Sequence, residues 1–261
     1  MVCDANQTDL IPQKKKNMIA PTTLEKLEAN LNDFSPVVRA QALAELEALV
    51  RQGDVTVEPV ADVANLHCHT FFSFNAYGYS PSGLAWLARR RGFKMMGIVD
   101  FDVLDGVDEF LNACEILGVR GSAGLETRVY IPEFASREIN SPGEPGVYYH
   151  MGIGFTSNQP RDDVAPILSD MRRRADQRNR EMLNRINVYL SPVTVDYERD
   201  VQPLTPKGNA TERHMLVAYT QAALRHYENP VPFWAEKLGL PQELIEEQIG
   251  DGPRFKNMVR A

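Results

Sequence analysis

Apolar residues along the middle of the chain alternate between short runs and helical stripes. Residues 64–69 form a short apolar run, and residues 94–100 (KMMGIVD) form a second that ends in an acid. Between them, Ser80-Pro81 reads as a helix N-cap followed by proline at the first helical position. Leu84, Leu87 and Ala88 recur at helical spacing, and Gly92 fits the stop. Residues 106–117 predict another helix, with Val107, Phe110, Leu111 and Cys114 on one face and Gly118 beyond it. Residues 119–126 predict a third strand, again ending in acid, and residues 147–155 a fourth that carries His150. Strands alternating with helices of this length predict βαβ units and a parallel sheet, so the fold class is α/β. In such folds chemistry gathers at the carboxyl ends of the strands.

The flanks read differently. Residues 1–20 form a polar arm in which Lys14, Lys15 and Lys16 are solvated. Residues 22–32 and 35–52 predict two helices, the second with Ser35 as N-cap, Pro36 in its first turn, a stripe of Val38, Ala42, Leu46 and Leu49, and Gly53 as stop. Residues 161–190 hold the longest helical pattern, with Arg172, Arg173, Arg174, Arg178 and Arg180 on its polar side. That side is either a solvated face or a wall that attracts phosphate. Residues 211–227 and 232–239 predict two more helices. The expected division is an arm over 1–20, a helical lead-in over 21–60, a β/α segment over 61–157 and a mainly helical part over 158–261.

The candidate chemistry lies at the predicted strand ends. In Asn65-Leu66-His67-Cys68-His69-Thr70, residues i and i+2 of a strand point to one face, so His67 and His69 project side by side and can reach one cation. Cys68 then points the other way, toward core. Asp100, Asp102, Glu126 and His150 fall at or near other strand ends. Each has a bland alternative: Asp100 and Asp102 as caps of the next helix, Glu126 as the ion-pair partner of Arg128, and His150 as a satisfied core histidine.

The motifs LHCHT, S-P-x-x-L from Ser80, A-x-x-x-G from Ala88, IVDFDVLDGV, GLET and YYHMGIGF resemble, in order and spacing, the opening half of the PHP (polymerase and histidinol phosphatase) metal-dependent phosphoesterases. The likeness covers residues 65–155, with a fainter continuation to about residue 227, and is nearest to the branch that cleaves small nucleotide or phosphodiester substrates. It implies part of a distorted (β/α)7-type barrel with a helical lead-in and a helical insertion. It also implies His67, His69, Glu126 and His150 as ligands of one or two divalent ions. Imidazole and carboxylate together suit Zn, Mn or Fe better than Ca or Mg. In GNATERHMLVAY, the likeness gives Arg213 and His214 as contacts for substrate phosphate, with a capped surface helix as the alternative. The chain departs from the family at Asn65, where Asp is usual, and at Phe74 and Phe101, where ligands of a third ion stand. Their joint loss implies that this third site is gone and that the two rings pack in its place. The family's later motifs have no match after Tyr227, so the resemblance implies a first part of a longer protein, with unpaired sheet edges.

Composition narrows the rest. A net charge of −7 implies no general nucleic-acid surface. Three scattered cysteines, Cys3, Cys68 and Cys114, argue against a disulfide framework and fit a reducing, cytoplasmic setting. No apolar run reaches the roughly 18 residues of a membrane span, and no secretory signal is visible. The leading expectation is a phosphoesterase for a small phosphorylated substrate, with no catalytic side chain assigned beyond the ligands. A PHP-like module that binds metal or phosphate without turnover is the main rival, and a helical interaction protein is the third reading. The oligomeric state is open at this point.

Overall fold

The computed structural model describes residues 21–73, 78–141 and 143–260. Two helices lead in, α1 (Pro21–Asn30) and α2 (Pro36–Gln52), followed by strand β1 (Ala61–Cys68). Helix α3 (Pro81–Arg90), strand β2 (Phe93–Phe101), helix α4 (Val107–Leu117) and strand β3 (Arg120–Tyr130) complete the alternating part. Strand β4 (Val147–Ile153) and the long helix α5 (Ala165–Tyr189) come next. The remainder is helical: α6 (Glu212–His226), α7 (Val231–Leu238), α8 (Gln242–Ile249) and α9 (Gly252–Arg260).

Ser80 accepts from the Gly83 amide with Pro81 next to it, and Gly53 and Gly118 end α2 and α4 in the left-handed conformation, whereas Ser35 stands at the N-cap position of α2 without a side-chain hydrogen bond. The lead-in packs on the β/α segment. Buried Arg39 of α2 pairs with Glu109 of α4, which also accepts from the Ser82 amide and hydroxyl at the start of α3.

The sheet is ordered β1-β2-β3-β4. The first three strands are parallel, as expected, but β4 runs antiparallel to β3. A parallel return needs a crossover of a dozen or more residues, usually a helix. The connection between these two strands carries only the 3₁₀ turn Pro132–Phe134 among its described residues, so β4 folds back. Strand β3 also runs on to Tyr130, which leaves Glu126 four residues inside its end. Gly97 permits the close approach of β1 and β2, because a Cβ there would lie 2.8 Å from the Leu66 Cα.

Two cores result. One is built from α1–α4 and the helix-facing side of β2 and β3, with Leu46, Ala85, Ile98 and Phe110 almost wholly buried. The other lies among α5–α9 around Trp234, Tyr219, Ile245 and Phe255. Helix α5 joins them: Leu168 and Met171 pack on the first core, while Leu183 belongs to the second. At 25 residues it is about 37 Å long. No described helix is long and apolar enough to cross a membrane.

Candidate metal centre

The His-x-His alternation of β1 and the position of Glu126 on β3 bring three donors together. His67 Nε2 lies 2.9 Å and His69 Nε2 3.1 Å from the same oxygen, Glu126 Oε2. Their ligand atoms all lie within 4.8 Å of one another. Glu126 and His69 are buried at 7% and 8% side-chain exposure, whereas His67 is 53% exposed and forms the open side. Burial pushes the Glu126 carboxyl up, but hydrogen bonds and charge from His69 and His67 outweigh it and hold the group below the usual carboxylate range. Asn65 Oδ1 accepts from the His67 amide and braces the strand there.

A short relay orients His69. Asp100 is 1% exposed and accepts from the Thr70 amide, the Thr70 hydroxyl and the Ser73 hydroxyl, each at 2.7 Å. The Ser73 proton is thereby committed, so its oxygen accepts from His69 Nδ1 at 3.2 Å. When a cation takes the place of the Nε2 contact with Glu126, this bond favours the Nδ1–H tautomer and leaves the Nε2 lone pair for the ion. Burial raises the Asp100 carboxyl, while the hydrogen bonds from Ser73 and Thr70 pull it back. Asp100 therefore anchors the loop after β1 and does not cap α4, whose N-cap is Gly106.

Both Nε2 atoms meet one carboxylate oxygen, so either ring protons or a shared cation must lie between them. Two imidazoles and a carboxylate with one open side fit a hydrolytic Zn-type site, where three protein ligands leave a position free. A hydrogen bond to the far ring nitrogen of a ligand histidine is the usual support of such a site. Replacing Ser73 with Ala is expected to weaken Zn or Mn binding by about 10–100-fold while shifting thermal stability little. Metal titration followed by calorimetry and a melt of the same sample check both halves.

His150 is not brought to this cluster. On β4 the neighbouring Tyr149 faces Phe101 and the cavity, and strand alternation turns His150 the other way. It is exposed, opposite Thr127, with Nδ1 2.8 Å from the Tyr148 hydroxyl. The antiparallel return of β4 sets this parity. Asp102 does not cap a helix either. It adopts φ +59°, the one positive φ among described residues other than glycine, with its amide on the Glu126 carbonyl and its carboxylate accepting from Thr127. Burial raises its carboxyl. Glu126 does not pair with Arg128, whose partner is Glu144.

Phe101 stacks on His69, with centroids 4.3 Å apart and planes 23° from parallel. Its predicted partner Phe74 lies outside the described residues. Asn209 clamps the region by donating to the carbonyls of Phe72 and Phe101, both at 3.0 Å.

A cavity of about 280 Å³ opens beside His69 and Phe101, between the sheet and helices α5, α6 and α9. Arg128, Arg178, Arg213 and Arg260 line it, with Asp102 and Glu212 as its acids. Arg213 thus reaches the cavity, although its Nη1 also donates to Asn257 Oδ1. His214 does not. It is 2% exposed and completes a capping box at the start of α6, where Nδ1 accepts from the Thr211 amide. Sequence reading missed Ser73, Tyr149, Asn209 and Arg260. Only Tyr149 carried a usable signal, as the alternate neighbour of His150.

Burial lowers the His214 imidazole to about 4. An unfolded chain takes up this proton near 6.5, so between those values the unfolded state binds more protons. Stability from His214 is complete above about pH 6.5 and falls as pH drops toward 4, by at most about 1.4 kcal/mol per pH unit. His214→Gln keeps an N3 acceptor for the capping box. It is expected to hold stability at pH 7 and flatten the slope between pH 6.5 and 4, as urea midpoints would show.

No family model matches the chain. A segment of 75 residues is 33% identical to an error-prone DNA polymerase of Cutibacterium acnes, covering 29% of this chain and 7% of the polymerase. The structure is similar to that of a protein assigned as a metal-dependent phosphoesterase from Bifidobacterium adolescentis, with a TM-score of 0.50 and 21% identity. That match covers 69% of this chain and 56% of the other. An amidohydrolase from Chromobacterium violaceum gives a TM-score of 0.47 at 14% identity, over 74% of this chain and 57% of the other. The chain therefore spans less than two thirds of each of these relatives. The likeness to the Bifidobacterium adolescentis structure shows a shared α/β fold. The mixed α/β architecture is that of part of a distorted barrel.

Proposed function

We propose that this chain is a metal-dependent phosphoesterase acting on a small phosphorylated substrate. The observation that carries the reading is the convergence of His67, His69 and Glu126 on one point beside an arginine-lined cavity. His67 Nε2, His69 Nε2 and a Glu126 oxygen would hold one divalent ion of Zn, Mn or Fe type, and Glu126 has a second oxygen to share with another. When bound, such an ion lowers the pKa of a water and neutralises phosphoryl oxygens. The chain's own residues do the rest. Ser73 and Asp100 hold the His69 tautomer, Phe101 covers one face of that ring and sheds water from it, and the arginines balance substrate charge. Neither His150 nor His214 has a part in this reading.

One observation favours a binding module without turnover. Phe101 sets an apolar ring against His69 where the family resemblance puts a ligand. A single panel separates the two readings. The purified chain is loaded with Zn, Mn or Fe and offered 4-nitrophenyl phosphate and bis(4-nitrophenyl) phosphate. Metal-dependent release of nitrophenol that a chelator abolishes supports the phosphoesterase. Stoichiometric metal without release supports the binding module.

A further inference from the structure

The arginines of α5 do not share one fate. Arg173 and Arg174 pair with Asp170, and Arg180 pairs with Asp176 and Glu198. Arg172 reaches Asp105 and the Lys207 carbonyl. Arg178 makes no hydrogen bond or ion pair among the described residues, yet it lines the cavity beside His69. The other cavity arginines are engaged: Arg128 with Glu144, Arg260 with Glu212 and Arg213 with Asn257. The carboxylate of Asp102 feels Arg178 only through its charge.

We infer that Arg178 grips the substrate's phosphate and selects the dianionic monoester over the monoanionic diester. The inference rests on the phosphoesterase reading and names a specificity residue within it. A guanidinium presents a planar fork that matches two oxygens of one phosphate. A monoester offers three non-bridging oxygens and two charges, so one edge can face the ion site while another faces Arg178. A diester offers two non-bridging oxygens and one charge, and cannot serve both ends as well. Arg178 is exposed and uncommitted, so taking it out of water toward an anion breaks no existing pair. Arg128 or Arg260 would each have to abandon a carboxylate first.

The test uses the full chain, loaded with Mn, and the variants Arg178→Gln, Arg178→Lys and, as a control, Arg174→Gln. Inorganic phosphate binding is measured by calorimetry, and KM and kcat are measured for 4-nitrophenyl phosphate and its bis ester. Arg178→Gln is expected to weaken phosphate binding and raise the monoester KM by about 10–100-fold, the range for a charge-assisted pair. The diester KM should move by less than about 3-fold, Lys should restore part of the loss, and Arg174→Gln should change nothing. Metal content and melting temperature should stay at the wild-type level. Equal losses for both esters, or unchanged phosphate binding in Arg178→Gln, would overturn the inference. Phosphate binding that depends on Arg178 without hydrolysis of either ester would sustain the role of Arg178 while the phosphoesterase reading fails.

Discussion

Glu126→Gln is expected to strip the bound ion and abolish hydrolysis while leaving the fold intact. The substitution keeps the size of the side chain and removes its charge. Both imidazoles lie within 3.1 Å of one Glu126 oxygen, so this carboxylate is the common member of the donor set. Partners that only support a ligand are worth about 10–100-fold in metal affinity, and loss of the shared anionic ligand should exceed about 100-fold. Metal analysis after dialysis and turnover of 4-nitrophenyl phosphate would check it, with a thermal melt to show retained structure. Full metal occupancy in Glu126→Gln would remove Glu126 from the centre.

The largest effect on stability is expected at Asp100. It is buried together with Thr70 and Ser73, and three donors depend on its two oxygens. Asp100→Ala leaves those donors without an acceptor in a dry site. At about 1–3 kcal/mol for each unsatisfied buried group, with some relief from hydroxyl rotation, the loss is roughly 3–5 kcal/mol. Asp100→Asn retains one carbonyl acceptor and should lose about half as much. The same Ala variant frees Ser73 from its role, so metal affinity should fall together with stability. Urea denaturation of the metal-free protein, followed by metal titration of the folded fraction, separates the two losses. An Asp100→Ala variant as stable as wild type would mean that the loop after β1 holds itself.

Local patterns in the sequence carried most of this arrangement. The His-x-His alternation placed His67 and His69 correctly because side-chain parity on one strand needs no tertiary information. The helix starts at Ser35 and Ser80 and the stops at Gly53 and Gly118 were equally local. What failed was parity between strands. His150 lies next to Tyr149, and a shift of one residue in register decides which of them enters the cavity. Nothing local sets that register, because it depends on β4 returning antiparallel to β3. His214 failed for a related reason. Its position three residues after Thr211 serves a capping box as well as it would serve a phosphate, and only its burial decides. The basic side of α5 divided in the same way, since the partners Asp105 and Glu198 come from distant segments. Arg178 stands apart only once those pairs are seen.

Anomalous scattering from a crystal of the full chain grown with Zn or Mn tests the central claim most directly. The account predicts a peak within about 2.0–2.2 Å of His67 Nε2, His69 Nε2 and a Glu126 oxygen for a Zn-type ion. It also predicts that His150 stays turned away and His69 Nδ1 remains on Ser73. A crystal in which the three side chains keep their mutual contacts at saturating metal, with no peak among them, would contradict it.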